Sequence, residues 1–313
     1  MNTNQKNLIK ATIPFLKTNG TDLTKHFYAT MLSENPELNN LFNISNQASG
    51  RQQNVLANTV LAYAENIEKP TVLINILKGI GNKHVSLNIH PEQYKIVGHY
   101  LISSIKAILG DAATAEIIEA WTEAYNELAQ IMISLEDGMY QSKVRKTGGW
   151  KGWRTFIISD IVEESAEIKS FYLKPKDKGT ITDYHPGQYI SVKTFVPELQ
   201  HEQPRQYSLS SAFNPEYYRI SVKKDQNNQH LPDGIVSNIL HKKNIGDEIE
   251  VSAPSGVFHL DTHSENPMVL ISGGVGITPL FSMLEANKNS VKKKQLYGCI
   301  AAVMRKSMHL KTI

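Results

Sequence analysis

The chain of 313 residues holds a single cysteine, Cys299, only three tryptophans, and no acidic residue after Glu285. One cysteine excludes an intramolecular disulfide and any zinc site built on clustered thiolates, and it fits a reducing compartment. Any redox chemistry is therefore not thiol chemistry. An uninterrupted hydrophobic run is also missing. The N-terminal stretch MNTNQKNLIKATIPFLKTNG has Lys10 and Pro14 where a signal peptide needs an unbroken apolar segment, so it reads as mature cytoplasmic sequence. The one long uncharged stretch, between Glu265 and Glu285, is cut by Pro267, Gly273, Gly274, Gly276 and Pro279. That composition suits a strand and a turn, and no transmembrane segment is expected.

The acid-free C-terminus also decides how the net charge is read. Lys plus Arg is 33 and Asp plus Glu is 30, a formal +3, yet Lys288, Lys292, Lys293, Lys294, Arg305, Lys306 and Lys311 all follow Glu285. Without these seven, residues 1–285 carry 26 bases against 30 acids, a net of −4. The body of the protein is mildly acidic, which argues against nucleic acid as a partner. At about 150 residues per domain the length allows two domains, or three small ones.

Two periodicities divide the chain. Up to about Tyr140 apolar residues recur at three and four, as in Leu73, Ile76, Leu77 and Ile80 and in Leu101, Ile105 and Ile108, which is helical spacing. Asn35-Pro36 and His90-Pro91 place prolines where a first helical turn tolerates them, and Asn19-Gly20 and Ser49-Gly50 read as breaks. Short-linked helices of this number fit a bundle or a globin, and periodicity does not choose between them. Around Lys146-Thr147-Gly148-Gly149-Trp150, read as a linker, the pattern becomes short alternating segments: Trp153 to Ile158, Glu167 to Leu173, Tyr189 to Val192, Tyr218 to Val222 and Glu248 to Val251. Turn sequences separate them, so residues 152–260 predict a small antiparallel barrel or sandwich. From Met268 the run MVLIS, the turn GGVGITP and the helical stretch LFSMLEA give a strand–loop–helix unit that opens an α/β lobe.

On the predicted helix through Leu77 and Ile80, His84 continues the apolar face with a spacing of four. Such an imidazole is either a core histidine satisfied by a carbonyl or a metal ligand. Phe27-Tyr28, Met31, Leu32 and Gln52 supply the mix of apolar and polar groups that a haem pocket needs opposite its histidine, though each is also an ordinary core or surface residue. In RQYSLS, Arg205, Tyr207 and Ser208 occupy alternate or adjacent strand positions from which they can line one flat ligand, though Arg205 is equally read as a plain surface base. GGVGITP is not G-x-G-x-x-G, because Pro279 stands where the last glycine would fall.

Together, HFYATMLSENPELNNLF, NQASGRQQNVLAN, AYAENIE, KHVSLNIHPEQY, AWTEAY, GGW, PGQY, RQYSLS and GVGITP occur in the order seen in flavohaemoglobins, and over residues 1–285 the chain resembles that family. The resemblance implies an all-α globin fold over 1–145, an antiparallel β-barrel FAD-binding domain of the ferredoxin-reductase type over 150–262, and an incomplete α/β NAD-binding lobe over 266–313. It implies haem b, FAD and NAD(P)H as cofactors, with O2 and NO as small-molecule partners, in a cytoplasmic monomer.

Residue by residue, the resemblance makes His84 the proximal iron ligand, with Lys83 beside it and Tyr94 and Glu136 near its other ring nitrogen, and it makes Tyr28 and Gln52 the pair that donates to the oxygen ligand. Gln53 is adjacent, so the choice of Gln52 rests on the family register. The resemblance assigns FAD contacts to Gln188, Tyr189, Arg205, Tyr207, Ser208, Leu209, Ser210, Gly234, Val236 and Ser237. It assigns the pyridine-nucleotide turn to Gly273, Gly274, Val275, Gly276, Ile277, Thr278 and Pro279. The implied activity is a nitric oxide dioxygenase that makes nitrate with electrons passed from NAD(P)H through FAD to haem. After LEANKNS the family's further α/β units, a Cys-Gly-Pro turn and a late aromatic are expected, whereas this chain continues as the basic VKKKQLYGCIAAVMRKSMHLKTI, in which LYGCIAAVM suits a second strand. That departure favours as an alternative a haem- and FAD-containing O2 or NO binder without NAD(P)H turnover.

Overall fold

The computed structural model describes residues 1–42, 47, 50–225, 234–264, 266–290 and 295–300. The chain divides into two units, Met1–His84 with Ile89–Met139, and Val85–Asn88 with everything from Tyr140 onward.

The first unit is helical. Helix α1 (Thr3–Ala11) begins at a reciprocal cap, in which Asn2 accepts from the Gln5 amide and the Gln5 side chain accepts from the Asn2 N–H. Helix α2 (Ile13–Glu34) runs through the expected break at Asn19-Gly20. Gly20 is buried, and a Cβ placed there would meet Ala57 Cβ at 3.4 Å, so this glycine serves the close approach of α3 (Arg51–Glu65) instead of ending a helix. The chain breaks earlier, at Thr12, whose hydroxyl donates to Ile9 O. At the second expected break, Gly50 has a φ of 71° and caps α3, while Ser49 lies outside the described residues.

Pro36 opens a short 3-10 turn and Pro91 opens α5 (Pro91–Leu109), as first-turn prolines do. Of the expected face on α4 (Ile74–Ser86), Leu77 is buried but Ile76 is 55% exposed, and Leu73 sits in the preceding 3-10 turn. A spacing of three and four still leaves one edge of the stripe facing solvent. The last helix, α6 (Ala115–Arg145), completes a core around Leu23, Phe27, Met31, Ile105, Ala120 and Trp121.

Gly98 shows how tightly α5 and α6 pack. A Cβ there would stand 2.4 Å from Tyr125 Cε1, on a ring that the Tyr94 carbonyl holds through the phenol. Gly98→Ala is expected to lower stability by about 1–3 kcal/mol, read as a fall in melting temperature. An unchanged melting temperature would show that the ring can move aside.

The second unit is built on a sheet of six antiparallel strands: β1 (Trp153–Ser165), β2 (Ile168–Pro175), β3 (Tyr189–Val196), β4 (His201–Ser208), β5 (Tyr218–Lys223) and β6 (Glu248–Ser252). Their order is β4-β3-β6-β1-β2-β5, and the two edges meet through the Leu209–Ile220 bridge and the Ser210 N–H donating to Arg219 O, which closes a barrel. Alternation fills its interior with Phe156, Ile158, Phe171, Leu173, Ile190, Val192 and Val251. Helix α7 (Ile235–His241) adds Val236 and Leu240 to that core. Beyond the barrel, β7 (Met268–Ser272) is joined through α8 (Ile277–Asn289) to a parallel β8 (Leu296–Ile300), the expected second strand. Helix α8 covers one face of β7, where Met268 packs with Leu280 and Met283, whereas Val269 and Ile271 are 59% and 67% exposed on the other. Residues 301–304 of the expected strand, and the basic residues Lys292, Lys293, Lys294, Arg305, Lys306 and Lys311, lie outside the described residues. Among the described residues no helix is long and apolar enough to cross a membrane.

Candidate functional site

Three helices of the first unit bring together the residues around His84. The last turn of α4 carries His84, the first turn of α5 carries Tyr94, and the middle of α6 carries Glu136. Glu136 Oε1 lies 2.7 Å from His84 Nδ1 and accepts from the Tyr94 hydroxyl at 2.6 Å, and the Tyr94 oxygen stands 3.1 Å from the same Nδ1. Glu136 is only 4% exposed. A buried carboxylate can only accept, so this arrangement holds the imidazole proton on Nδ1 and leaves the Nε2 lone pair facing away from the cluster. The His84 side chain is 33% exposed, so that outward nitrogen is accessible. Among the described residues no group of three or more His, Cys, Asp or Glu could hold a metal ion. One imidazole nitrogen backed by a carboxylate would suit a haem iron, which needs few ligands from the protein. Lys83 is exposed beside it.

A second pair sits where α2 faces α3. Tyr28 is 6% exposed and packs edge-on against Phe27 (4.9 Å between ring centroids) and Phe42 (5.7 Å). Its phenol hydrogen-bonds the Gln52 side chain, and burial raises its pKa well above the usual phenol value, so it stays a protonated donor. Neighbouring Gln53 is turned inward, with its Nε2 donating to the Gln47 side chain at 2.9 Å and to the Gln47 carbonyl at 3.1 Å. The two adjacent glutamines thus have different partners, and it is Gln52 that meets the phenol.

In the second unit the strand register separates residues that the sequence groups in one motif. Ile190 faces Tyr207 and Val192 faces Arg205 across β3 and β4, while Tyr189 faces Ser208, so Arg205 and Tyr207 share one face and Tyr189 and Ser208 the other. Arg205 donates to the Pro204 carbonyl at 2.8 Å and reaches Gln203 Oε1 at 3.4 Å, and no carboxylate lies within ion-pair distance of it among the described residues. Burial lowers its pKa from the usual guanidinium value, and the desolvated Tyr207 phenol beside it is raised. A half-buried guanidinium without a counter-ion, next to an aromatic, fits a ligand that brings both phosphate and a ring system.

Other predicted contacts serve the frame of the barrel. The Gln188 side chain accepts from the His185 N–H at 2.9 Å and donates to the Gly256 carbonyl at 3.2 Å, while its backbone carbonyl accepts from Leu209 N–H. Leu209 is fully buried, and the Ser210 hydroxyl lies 2.8 Å from that of Ser221. Val236 packs into the core. Gly234 admits no side chain, because a Cβ would stand 2.6 Å from Asp225 Cβ and 2.8 Å from Ser237 Oγ. Ser237 itself donates to the Gly234 carbonyl at 3.0 Å.

In the turn before α8, Gly274 has a φ of 53°, and Cβ positions on Gly273, Gly274 and Gly276 would meet nothing within 4 Å among the described residues. Among the described residues no side chain or backbone crowds these three glycines, and the turn leads into a helix N-terminus. The 3-10 turn covers only Gly274–Gly276, with Val275 at its centre, so Ile277, Thr278 and Pro279 of the expected turn lie instead in the first turn of α8, where the Thr278 hydroxyl donates back to Val275 O at 3.0 Å. Two further residues went unnoticed in the sequence: Ser86, which meets Tyr189 and Ser191, and Lys143, which meets Pro254 and Ser255. A serine and a lysine near helix ends give no periodic or motif signal.

Comparison with known proteins places the chain in a family. Residues 25–132 match the globin family and residues 155–260 match the oxidoreductase FAD-binding domain. A flavohemoprotein of Oceanobacillus iheyensis is 54% identical over 280 residues, covering 89% of this chain and 68% of that protein. The flavohemoprotein of Rhizobium meliloti is 47% identical over 293 residues, covering 93% and 72%. The crystal structure of a flavohemoglobin from Malassezia yamatoensis with bound FAD and heme superposes with a TM-score of 0.86 at 28% identity, covering 96% of this chain and 77% of that one. With a globin fold, a reductase-type barrel and identities near one half, the chain belongs to the flavohemoprotein family of oxidoreductases.

Proposed function

We propose that the protein is an NAD(P)H-dependent nitric oxide dioxygenase that turns NO and O2 into nitrate in the cytoplasm, with a globin domain over 1–145, an FAD domain over 150–262 and a nicotinamide lobe over 266–313. Its cofactors are haem b and FAD, with NAD(P)H as the electron donor. The observation that carries this reading is the His84–Glu136–Tyr94 cluster in a chain that also has a reductase barrel. Bound haem and FAD supply the one-electron and hydride chemistry that no side chain here provides.

The chain's own residues bind, orient and tune. His84 offers Nε2 to the iron, and Glu136, accepting at Nδ1, makes the ring a stronger donor, which favours oxygen activation over storage. Tyr28, held by Gln52, would keep a protonated phenol ready to donate to a small ligand that carries negative charge. Arg205 answers the FAD pyrophosphate, Tyr207 and Tyr189 give it aromatic surface, and the Gly273–Gly276 turn receives the dinucleotide's phosphates.

Glu136→Gln tests the proximal assignment. A neutral amide keeps the shape and one hydrogen bond but withdraws the charge, so haem retention against apomyoglobin is expected to weaken about tenfold, and the iron–histidine stretch in the Raman spectrum to fall. A stretch at the wild-type frequency would separate Glu136 from the metal.

A second reading, a haem- and FAD-containing protein that binds O2 or NO without NAD(P)H turnover, draws on the lobe after residue 266, where β7 leaves Val269 and Ile271 exposed. The anaerobic visible spectrum of the haem- and FAD-loaded protein separates the two. Under the dioxygenase reading NADH bleaches the flavin and then shifts the haem bands to those obtained with dithionite. Reduction by dithionite alone would support the binder.

A further inference from the structure

Two polar side chains with no part in the sites above converge on Tyr189. Ser86 lies in the last turn of α4, two residues past His84, and is fully buried. Its Oγ accepts from Ser191 Oγ at 2.9 Å, and its side chain hydrogen-bonds the Tyr189 phenol. Tyr189 and Ser191 are two apart on β3 and share a face, so one hydroxyl meets both.

Lys143 lies in the last turn of α6. Its Nζ donates to Ser255 Oγ at 2.8 Å and to the Pro254 carbonyl. Ser255 is the bridge partner of Tyr189, the two exchanging backbone hydrogen bonds of 2.8 and 2.9 Å. The Tyr189 ring then lies against Gly256, where a Cβ would stand 2.9 Å from the ring. Ser86, Lys143, Tyr189, Ser191 and residues 254–256 all belong to the second unit.

The chemistry of Lys143 argues for more than packing. Burial, with Lys146 adding to it, pulls its ammonium down to about 8, and no carboxylate pairs with it among the described residues. A desolvated ammonium opposes folding, and methionine would fill similar space without that penalty. What lysine adds is a pair of strong donors aimed at the segment that brackets Tyr189.

We propose that Ser86 and Lys143 are positioning residues for the flavin: Ser86 fixes the Tyr189 ring through its phenol, and Lys143 fixes the Tyr189 backbone through Ser255. The inference rests on the reading of Tyr189 as a flavin contact. Both act by narrowing the range of ring positions before FAD arrives, so that less ordering is left to the binding step.

The test uses the full chain loaded with haem and FAD and freed of excess flavin, reading the visible circular dichroism and fluorescence lifetime of the bound flavin together with FAD affinity. Ser86→Ala and Lys143→Met are each expected to weaken FAD binding roughly three- to tenfold, the worth of one lost hydrogen bond. Both should also lengthen the flavin lifetime and move the dichroism toward that of Tyr189→Ala. Ser86→Thr, which keeps the hydroxyl, is expected to restore all three. Wild-type lifetime and dichroism in S86A and K143M, with Y189A changing both, would overturn the proposal and leave Tyr189 as a flavin contact. Wild-type values in Y189A as well would overturn that contact and the proposal with it. K143M removes a buried charge at nearly constant volume, so it carries the test on its own should S86A fail to fold.

Discussion

Tyr28→Phe is expected to speed oxygen release from the haem-loaded protein by about 10- to 100-fold, the cost of one hydrogen bond to a charged acceptor at roughly 1.5–3 kcal/mol. The substitution isolates that bond because of where Tyr28 sits. The ring is 6% exposed and held edge-on between Phe27 and Phe42, so phenylalanine keeps the packing and loses only the hydroxyl. Burial has already raised the phenol far above neutral pH, so the wild-type group donates across the working range and the difference between the two proteins is flat with pH. Loss of the hydroxyl also frees the Gln52 amide from its partner. A free amide can take over part of the donation, which sets the lower end of the range, and the double variant with Gln52→Leu reaches the upper end. Stopped-flow displacement of oxygen by carbon monoxide gives the rate directly, and NO consumption should fall in step. An oxygen off-rate unchanged in Y28F would remove Tyr28 from the mechanism.

The legible parts of this sequence were those with a local period. Alternation located β1, β2, β3, β5 and β6, and proline and glycine marked the starts of α5 and α3, because these signals belong to single segments. Asn19-Gly20 misled for a reason no single sequence contains: the glycine accommodates α3 across a helix pair, and the partner surface is out of view. The same limit separates Tyr189 from Tyr207. Each sits in a recognisable motif, but which face of the sheet each one occupies depends on the register between β3 and β4. Glu136 stands 52 residues from His84, and spacing alone gives no reason to join them; family resemblance named the pair, and geometry gives it a physical form, with one carboxylate oxygen shared by an imidazole and a phenol. Gln52 and Gln53 read alike in sequence and differ only in which way a helix turns them. Lys143 stands seven residues beyond Glu136 near the end of α6, and nothing local to it tells that a loop over a hundred positions later closes on it.

Arg205→Met should weaken FAD binding by about 30- to 5,000-fold, as loss of a buried charge partner costs roughly 2–5 kcal/mol, while leaving the FAD-free protein at least as stable. The two effects have one cause. In the structure the guanidinium is half-buried, its pKa lowered by desolvation, and among the described residues only the Pro204 carbonyl and the Gln203 amide oxygen meet its five donors. That is an unfavourable place for a cation, and it persists because the missing counter-charge arrives with the ligand. Methionine removes the penalty and keeps much of the side chain's apolar length, so the FAD-free variant is expected to gain about 1 kcal/mol. Saturating FAD should reverse the order, because binding stabilises each protein in proportion to the logarithm of ligand over dissociation constant. Lysine at the same position separates charge from shape: it restores the positive charge without the planar fork, so R205K should fall between the two and lose specificity for the paired phosphates. Titration by flavin fluorescence quenching gives the affinities, and thermal melts with and without FAD give the crossing. A variant that binds FAD as tightly as wild type would mean that Arg205 meets no phosphate. A variant that loses affinity and is also less stable without FAD would mean that the guanidinium is a structural clamp between Gln203 and Pro204, and that the pyrophosphate is held elsewhere on the barrel.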